Sequence, residues 1–154
     1  MAIDTRILGM TAFGTYFGLD MLTTFVAIRS YGVYAESNPA MLVAFGTFGL
    51  AGFIAVKLAL SLLITVPAYA LSVLPGTRHL GISALTSIIA GGMLVSLNNV
   101  SALATGASLF HGLYGDGSFA GPGLIVGFTM LFIGALTYGI LSQRARRTVS
   151  RAFH

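Results

Sequence analysis

Apolar residues fall along this chain in four long blocks, parted by short stretches that hold much of its polarity. The first block, 7–28, is 22 residues long, enough for a helix to cross a hydrocarbon core that needs about 20. A short polar connection over 29–38 ends in Asn38-Pro39, a helix start in which Asn caps and Pro takes the first helical position. Residues 39–45 then predict a half-helix of a turn or two, interrupted at Gly46-Thr47-Phe48-Gly49, with a second span over 48–74. Leu74-Pro75-Gly76-Thr77-Arg78 is a turn. A third span is predicted over 79–97, an outer loop over 98–121, a fourth span over 122–141 opening at Pro122, and a basic tail over 142–154.

Polar and small residues inside the blocks mark faces. In the first span Asp20 shares a stripe with Tyr16, Thr23 and Thr24, while Gly14 and Gly18 form a GxxxG pair on another side. In the second, Lys57, Ser61 and Thr65 recur at four-residue steps, and Ala51, Ala55 and Ala59 lie roughly opposite them. Pro67 is placed to kink the end of that span. Ser83, Ser87 and Gly91 line the third span, with Asn98 continuing the face, and Gly123, Gly127 and Gly134 line the fourth. The glycine and alanine stripes read as packing surfaces, where small residues let backbones approach.

Composition turns these blocks into membrane spans. Of the 154 residues 56% are hydrophobic and 8% charged, with a mean hydropathy of +0.91; a soluble domain carries about 25% charged residues. The expected fold is therefore an all-α integral membrane protein: one domain, a four-transmembrane-helix bundle with a short interfacial half-helix before the second helix. Arg6, the apolar run and Val33-Tyr34-Ala35 imitate a signal peptide with a cleavage site. The run is longer than a typical signal core and contains Asp20, so a retained first span is expected.

The net charge of +4 comes with its own address, because four of the seven arginines (Arg144, Arg146, Arg147, Arg151) lie in the last eleven residues. With both termini cytoplasmic, these join Arg6 and Arg78 inside and leave Arg29 outside, in keeping with the positive-inside rule. The basic tail is then a topology anchor in contact with anionic headgroups, and no nucleic-acid partner is expected. Glu36, Asn38, Asn98, Asn99, His111 and Asp116 gather on the outer side. The expected location is the cell membrane, multi-pass, or the lipid envelope of a particle derived from it.

Asp20 and Lys57 carry the candidate chemistry. Burying either charge alone in lipid costs at least ~2.5–3.5 kcal/mol on insertion scales, so each calls for a partner or a task. Asp20 lies nine residues before Arg29 and Lys57 nine after Phe48, ~13.5 Å in each case at 1.5 Å per residue. A break before Phe48 thus brings both to one depth. Two roles stay open: a structural ion pair that docks the first two helices, with Thr23, Thr24 and Ser61 in support, or a proton- or cation-linked pair in a cavity.

Other candidates are weaker in chemistry. Glu36-x-Asn38-Pro39 could bind a cation or polar ligand at the outer mouth, but equally caps the half-helix, whose N-terminus favours a carboxylate. His111 and Asp116 supply at most half a metal site. Tyr114-Gly115-Asp116-Gly117 resembles part of the Gly-x-Gly-Asp element of intramembrane aspartyl proteases, yet Leu113 stands where the first glycine belongs. There is no cysteine, which excludes disulfides and thiolate chemistry. With no Gly-x-Ser-x-Gly elbow, phosphate loop or HExxH, no enzymatic activity, cofactor or metal is expected.

The order Asp20-x-x-Thr23-Thr24, Glu36-x-Asn38-Pro39, Lys57 resembles an uncharacterised family of small prokaryotic membrane proteins, archaeal and bacterial, that share this pattern across their first two spans. The resemblance covers residues 15–60 and implies an integral membrane protein without an assigned activity. The expected function is a non-catalytic assembly or structural subunit of a homo-oligomer, membrane complex or envelope; the alternative is a small proton- or cation-coupled transporter or channel built on Asp20 and Lys57.

Overall fold

The structure, a computed structural model, describes residues 3–33, 36, 38–106, 109 and 120–152, with backbone alone at 39, 120–125 and 144–152. All regular structure among these residues is helical. α1 is Thr5–Tyr31, α2 Pro39–Val73, α3 Arg78–Thr105 and α4 Ala120–Ala152. Each contains a stretch long and apolar enough to cross a membrane: Thr5–Tyr31, Ala40–Val73, Arg78–Thr105 and Val126–Gln143.

α1 starts where Asp4 caps it, accepting from the Arg6 N–H at 2.9 Å. Its middle, Gly14–Leu19, is wound as a π-helix, and this changes its faces. At about 100° per residue an unbroken α-helix would carry Asp20 about 80° round from the fully buried Ala12. The wider π turns advance less per residue and hold Asp20 on the side that faces the bundle.

α2 is not one rod. Gly49 inside it has φ 64° and ψ −157°, a conformation essentially reserved for glycine, so residues 39–48 form a half-helix set at an angle to 50–73. The break falls inside the predicted Gly46–Gly49 interruption, at its last residue. The half-helix buries Met41 and Ala44, and Phe45 meets Phe53 edge to face, 6.2 Å between centroids. Gly52 permits this fold-back, since a Cβ there would run into Phe48 and the Ala44 carbonyl.

α3 is the central helix, packing against α1, α2 and α4. Half of its most apolar stretch is buried, against about a fifth in α1 and α2. Small residues make that possible. A Cβ at Gly92 would stand 2.7 Å from the Tyr16 nitrogen, and one at Gly81 would meet the backbone of Leu71 and Ser72 at the α2–α3 turn. On the other side Gly91 and Gly134 let α3 and α4 close on Met130 and Ser87. Ala12, Ala68, Leu85 and Ile88 form the apolar core between α1, α2 and α3.

Several predicted boundaries move. α3 continues eight residues past 97, to Thr105, and ends on Gly106 at φ 74°, so the predicted outer loop over 98–121 begins as helix. α4 runs beyond 141 to Ala152, so most of the predicted tail over 142–154 is helical backbone. Hydroxyls explain how polar residues sit within these helices: Thr15, Ser61, Thr65, Ser83, Thr86, Ser87, Ser96 and Thr137 each donate to a carbonyl four residues back.

Candidate functional site

Past the π segment the backbone of 20–31 no longer runs close beside α2, and long polar side chains fill the space between α1, α2 and α3. Lys57, about two turns beyond the Gly49 break, extends its ammonium to 2.9 Å from Asp20 Oδ2 and donates to Thr24 Oγ1 at 3.0 Å. Thr24 in turn donates to Asp20 Oδ1 at 3.2 Å. The Lys57 ammonium also stands 5.5 Å from the Phe53 ring centroid, within cation–π range. Side-chain exposure is 11% at Lys57 and 14% at Asp20.

A third helix completes the cluster. Asn99 Nδ2 on α3 donates to Asp20 Oδ1 at 3.1 Å and lies 3.0 Å from Thr23 Oγ1 and 3.2 Å from Thr24 Oγ1. Thr23 itself donates to the Leu19 and Asp20 carbonyls. One carboxylate is thus held by an ammonium, a hydroxyl and an amide from three helices. Among the described residues no buried side-chain nitrogen or oxygen lacks a hydrogen-bond partner.

Of the residues singled out in the sequence, Asp20, Lys57, Thr23 and Thr24 are brought together. Ser61 is not part of that group: its hydroxyl donates to the Lys57 carbonyl of its own helix, one turn away from the ammonium's end. Glu36 and Asn38 form a separate cap, with Asn38 accepting from the Ala40 N–H at 3.0 Å and Glu36 accepting from the Asn38 N–H at 2.8 Å; Pro39 is the first helical residue. Gly91 and Gly134 lie in helix contacts, whereas a Cβ at Gly14, Gly18 or Gly127 would meet nothing within 4 Å. Ala51, Ala55 and Ala59 are exposed. Among the described residues these six take no part in the close helix contacts seen at Gly91 and Gly134. His111 and Asp116 lie outside the described residues. Among those described, no three histidine or acidic residues gather to hold a metal ion.

Asn99 was the residue that span boundaries concealed. Asn98, on the predicted polar face, accepts instead from the Leu109 N–H at 2.9 Å. The signal for Asn99 is the stripe Gly92, Ser96, Asn99: two small buried residues at helical spacing, ending in an amide on the side facing α1.

Among protein families, the model described as Domain of unknown function (DUF5658) matches residues 11–105. The chain belongs to this family. The DUF5658 match is wider than the resemblance over 15–60: it takes in all five residues of the Asp20 cluster and ends at the last residue of α3. No curated protein and no solved structure matches the chain.

Proposed function

We propose that this DUF5658 protein is a non-catalytic integral membrane protein, crossing the bilayer four times with both termini cytoplasmic, that serves as an assembly or structural subunit. Its assembly is a homo-oligomer, a larger membrane complex or a lipid envelope. Four apolar helices support the spans, and the excess of arginines at Arg6, Arg78 and the tail supports the orientation. On this reading residues 39–48 lie at the outer interface, and the Asp20-x-x-Thr23, Glu36-x-Asn38-Pro39, Lys57 pattern is a signature of prokaryotic relatives.

The observation that carries the reading is the saturation of the Asp20 cluster. Its ammonium and its amide both donate to the one carboxylate, and the ammonium also to Thr24 Oγ1, the arrangement of a lock between helices, whereas a working site keeps a group free for its ligand. The small faces at Gly14–Gly18 and Ala51–Ala55–Ala59, uncovered among the described residues, are suited to close contact with another helix. Gly14→Leu combined with Gly18→Leu should break the assembly while leaving the monomer folded. Native mass spectrometry from detergent reads this directly, and an unchanged complex sinks the proposal.

One observation favours the coupled-transport alternative. Asp20 follows directly on a π segment, and such segments are frequent at functional sites. Proton or cation flux in proteoliposomes that vanishes in Asp20→Asn would replace the structural reading; silence in both proteins leaves it standing.

A further inference from the structure

Between the first turns of α1 and the last turns of α2 lies a cleft of about 440 Å³ that plays no part in the Asp20 cluster. Its walls are Met10 and Phe13 on α1 and Leu62 and Val66 on α2, with Tyr69 behind and Arg6 at one end. Gly9 shapes the closed end by admitting the Tyr69 ring, which a Cβ would touch at 2.8 Å. Pro67 has no N–H to give the Leu63 carbonyl, which loosens α2 beside the cleft.

We propose that this cleft holds one anionic phospholipid of the cytoplasmic leaflet, its acyl chain between Met10, Phe13, Leu62 and Val66 and its phosphate on Arg6. Charge complementarity points to that occupant. The Arg6 side chain is exposed and makes no hydrogen bond or ion pair with any described residue. The nearest acid in sequence, Asp4, is turned onto its own helix, accepting from the Arg6 and Ile7 N–H groups. Arg78 adds a second cation near this end, where its guanidinium donates to the Ile3 carbonyl at 3.2 Å.

The dimensions fit a chain from one leaflet. Phe13 lies eight residues into α1 and Leu62 eleven residues from the end of α2, about 12 and 16 Å at 1.5 Å per residue. Half of a hydrocarbon core about 30 Å thick is the same distance. Basic pockets between helices on the cytoplasmic side are a recurrent form of anionic lipid site, and a volume of this size is ordinary for a ligand cleft.

This inference rests on the membrane-spanning reading, so the test separates the two. The protein is first floated with vesicles of phosphatidylglycerol and phosphatidylcholine, then extracted into detergent and examined by native mass spectrometry for retained lipid. Retention of phosphatidylglycerol over phosphatidylcholine is expected, falling about fivefold in Arg6→Gln, the weight of one basic residue at an anionic surface. Arg6→Lys should keep it, Val66→Trp should block it by filling the cleft, and Arg29→Gln at the other end should leave it unchanged. Failure to float overturns the membrane reading itself. Equal retention of the two lipids, or loss in Arg29→Gln as large as in Arg6→Gln, overturns the cleft while the membrane reading stands.

Discussion

Asn99 on α3 donates to the carboxylate of Asp20 on α1, seventy-nine positions away in sequence, at 3.1 Å. That bond makes the ion pair a three-helix feature, because Lys57 reaches the same carboxylate from α2. In an apolar surround a carboxylate has four lone-pair sites to satisfy, and no single helix supplies donors for all of them. Three helices converging on one acceptor fix their rotations relative to one another.

Removing the amide tests this. Asn99→Ala should lower stability by about 1–2 kcal/mol, in the range for a buried acceptor that loses a donor and near the upper end for polar contacts between membrane helices. Asn98→Ala, whose carbonyl receives a backbone N–H at the end of α3, should cost less than half as much. Chemical unfolding in micelles, followed by far-ultraviolet circular dichroism, gives both values; equal losses would mean that Asn99 has no special place.

The charges themselves predict a cycle. Lys57→Met strands Asp20 in an apolar site and should cost about 3–5 kcal/mol, as breaking a buried pair does. Combining it with Asp20→Asn removes the stranded charge and should recover most of that loss, since well-packed neutral replacements of buried pairs are often neutral or stabilising. A double variant as unstable as the two single losses added together would show that the residues act independently.

The sequence made the helices legible and the pairing of Asp20 with Lys57 expected, because an apolar block with one charge advertises that charge. Asn99 stayed hidden for a physical reason. Hydropathy falls at Asn98-Asn99, which looks like a span end, but both amides have protein partners and the helix continues until Gly106. α4 likewise outruns its apolar residues, since arginine is a good helix former. The π segment left no mark in an α-periodic reading either. Gly14 and Gly18 read as a packing face but meet nothing within 4 Å among the described residues, whereas Gly92, with no GxxxG pattern, is the glycine pressed against α1.

Those glycines should separate cleanly under substitution. Gly92→Ala places a Cβ 2.7–2.8 Å from the Thr15 and Tyr16 backbone, an overpacking that costs about 1–3 kcal/mol and pushes Asp20 away from Asn99. Gly14→Ala and Gly18→Ala meet open space and should leave monomer stability level or raise it by up to about 1 kcal/mol, the usual gain from replacing a helical glycine. Thermal unfolding of the three single variants decides the matter, and a Gly14→Ala loss as large as that of Gly92→Ala would reverse the assignment.

Gly49 sets where Lys57 begins its reach. A side chain at φ 64° and ψ −157° costs about 1–3 kcal/mol, so Gly49→Ala either strains the break or straightens it. Straightening would lift Phe45 off Phe53 and uncover Met41, and the absence of cysteine from the chain offers a clean probe. Met41 is 3% exposed, so Met41→Cys should resist a thiol-reactive maleimide in the parent background and label readily when Gly49→Ala is added. Slow labelling in both proteins, with unchanged melting, would mean that the half-helix holds its angle without glycine, and that the position of Lys57 depends on the Asp20 cluster alone.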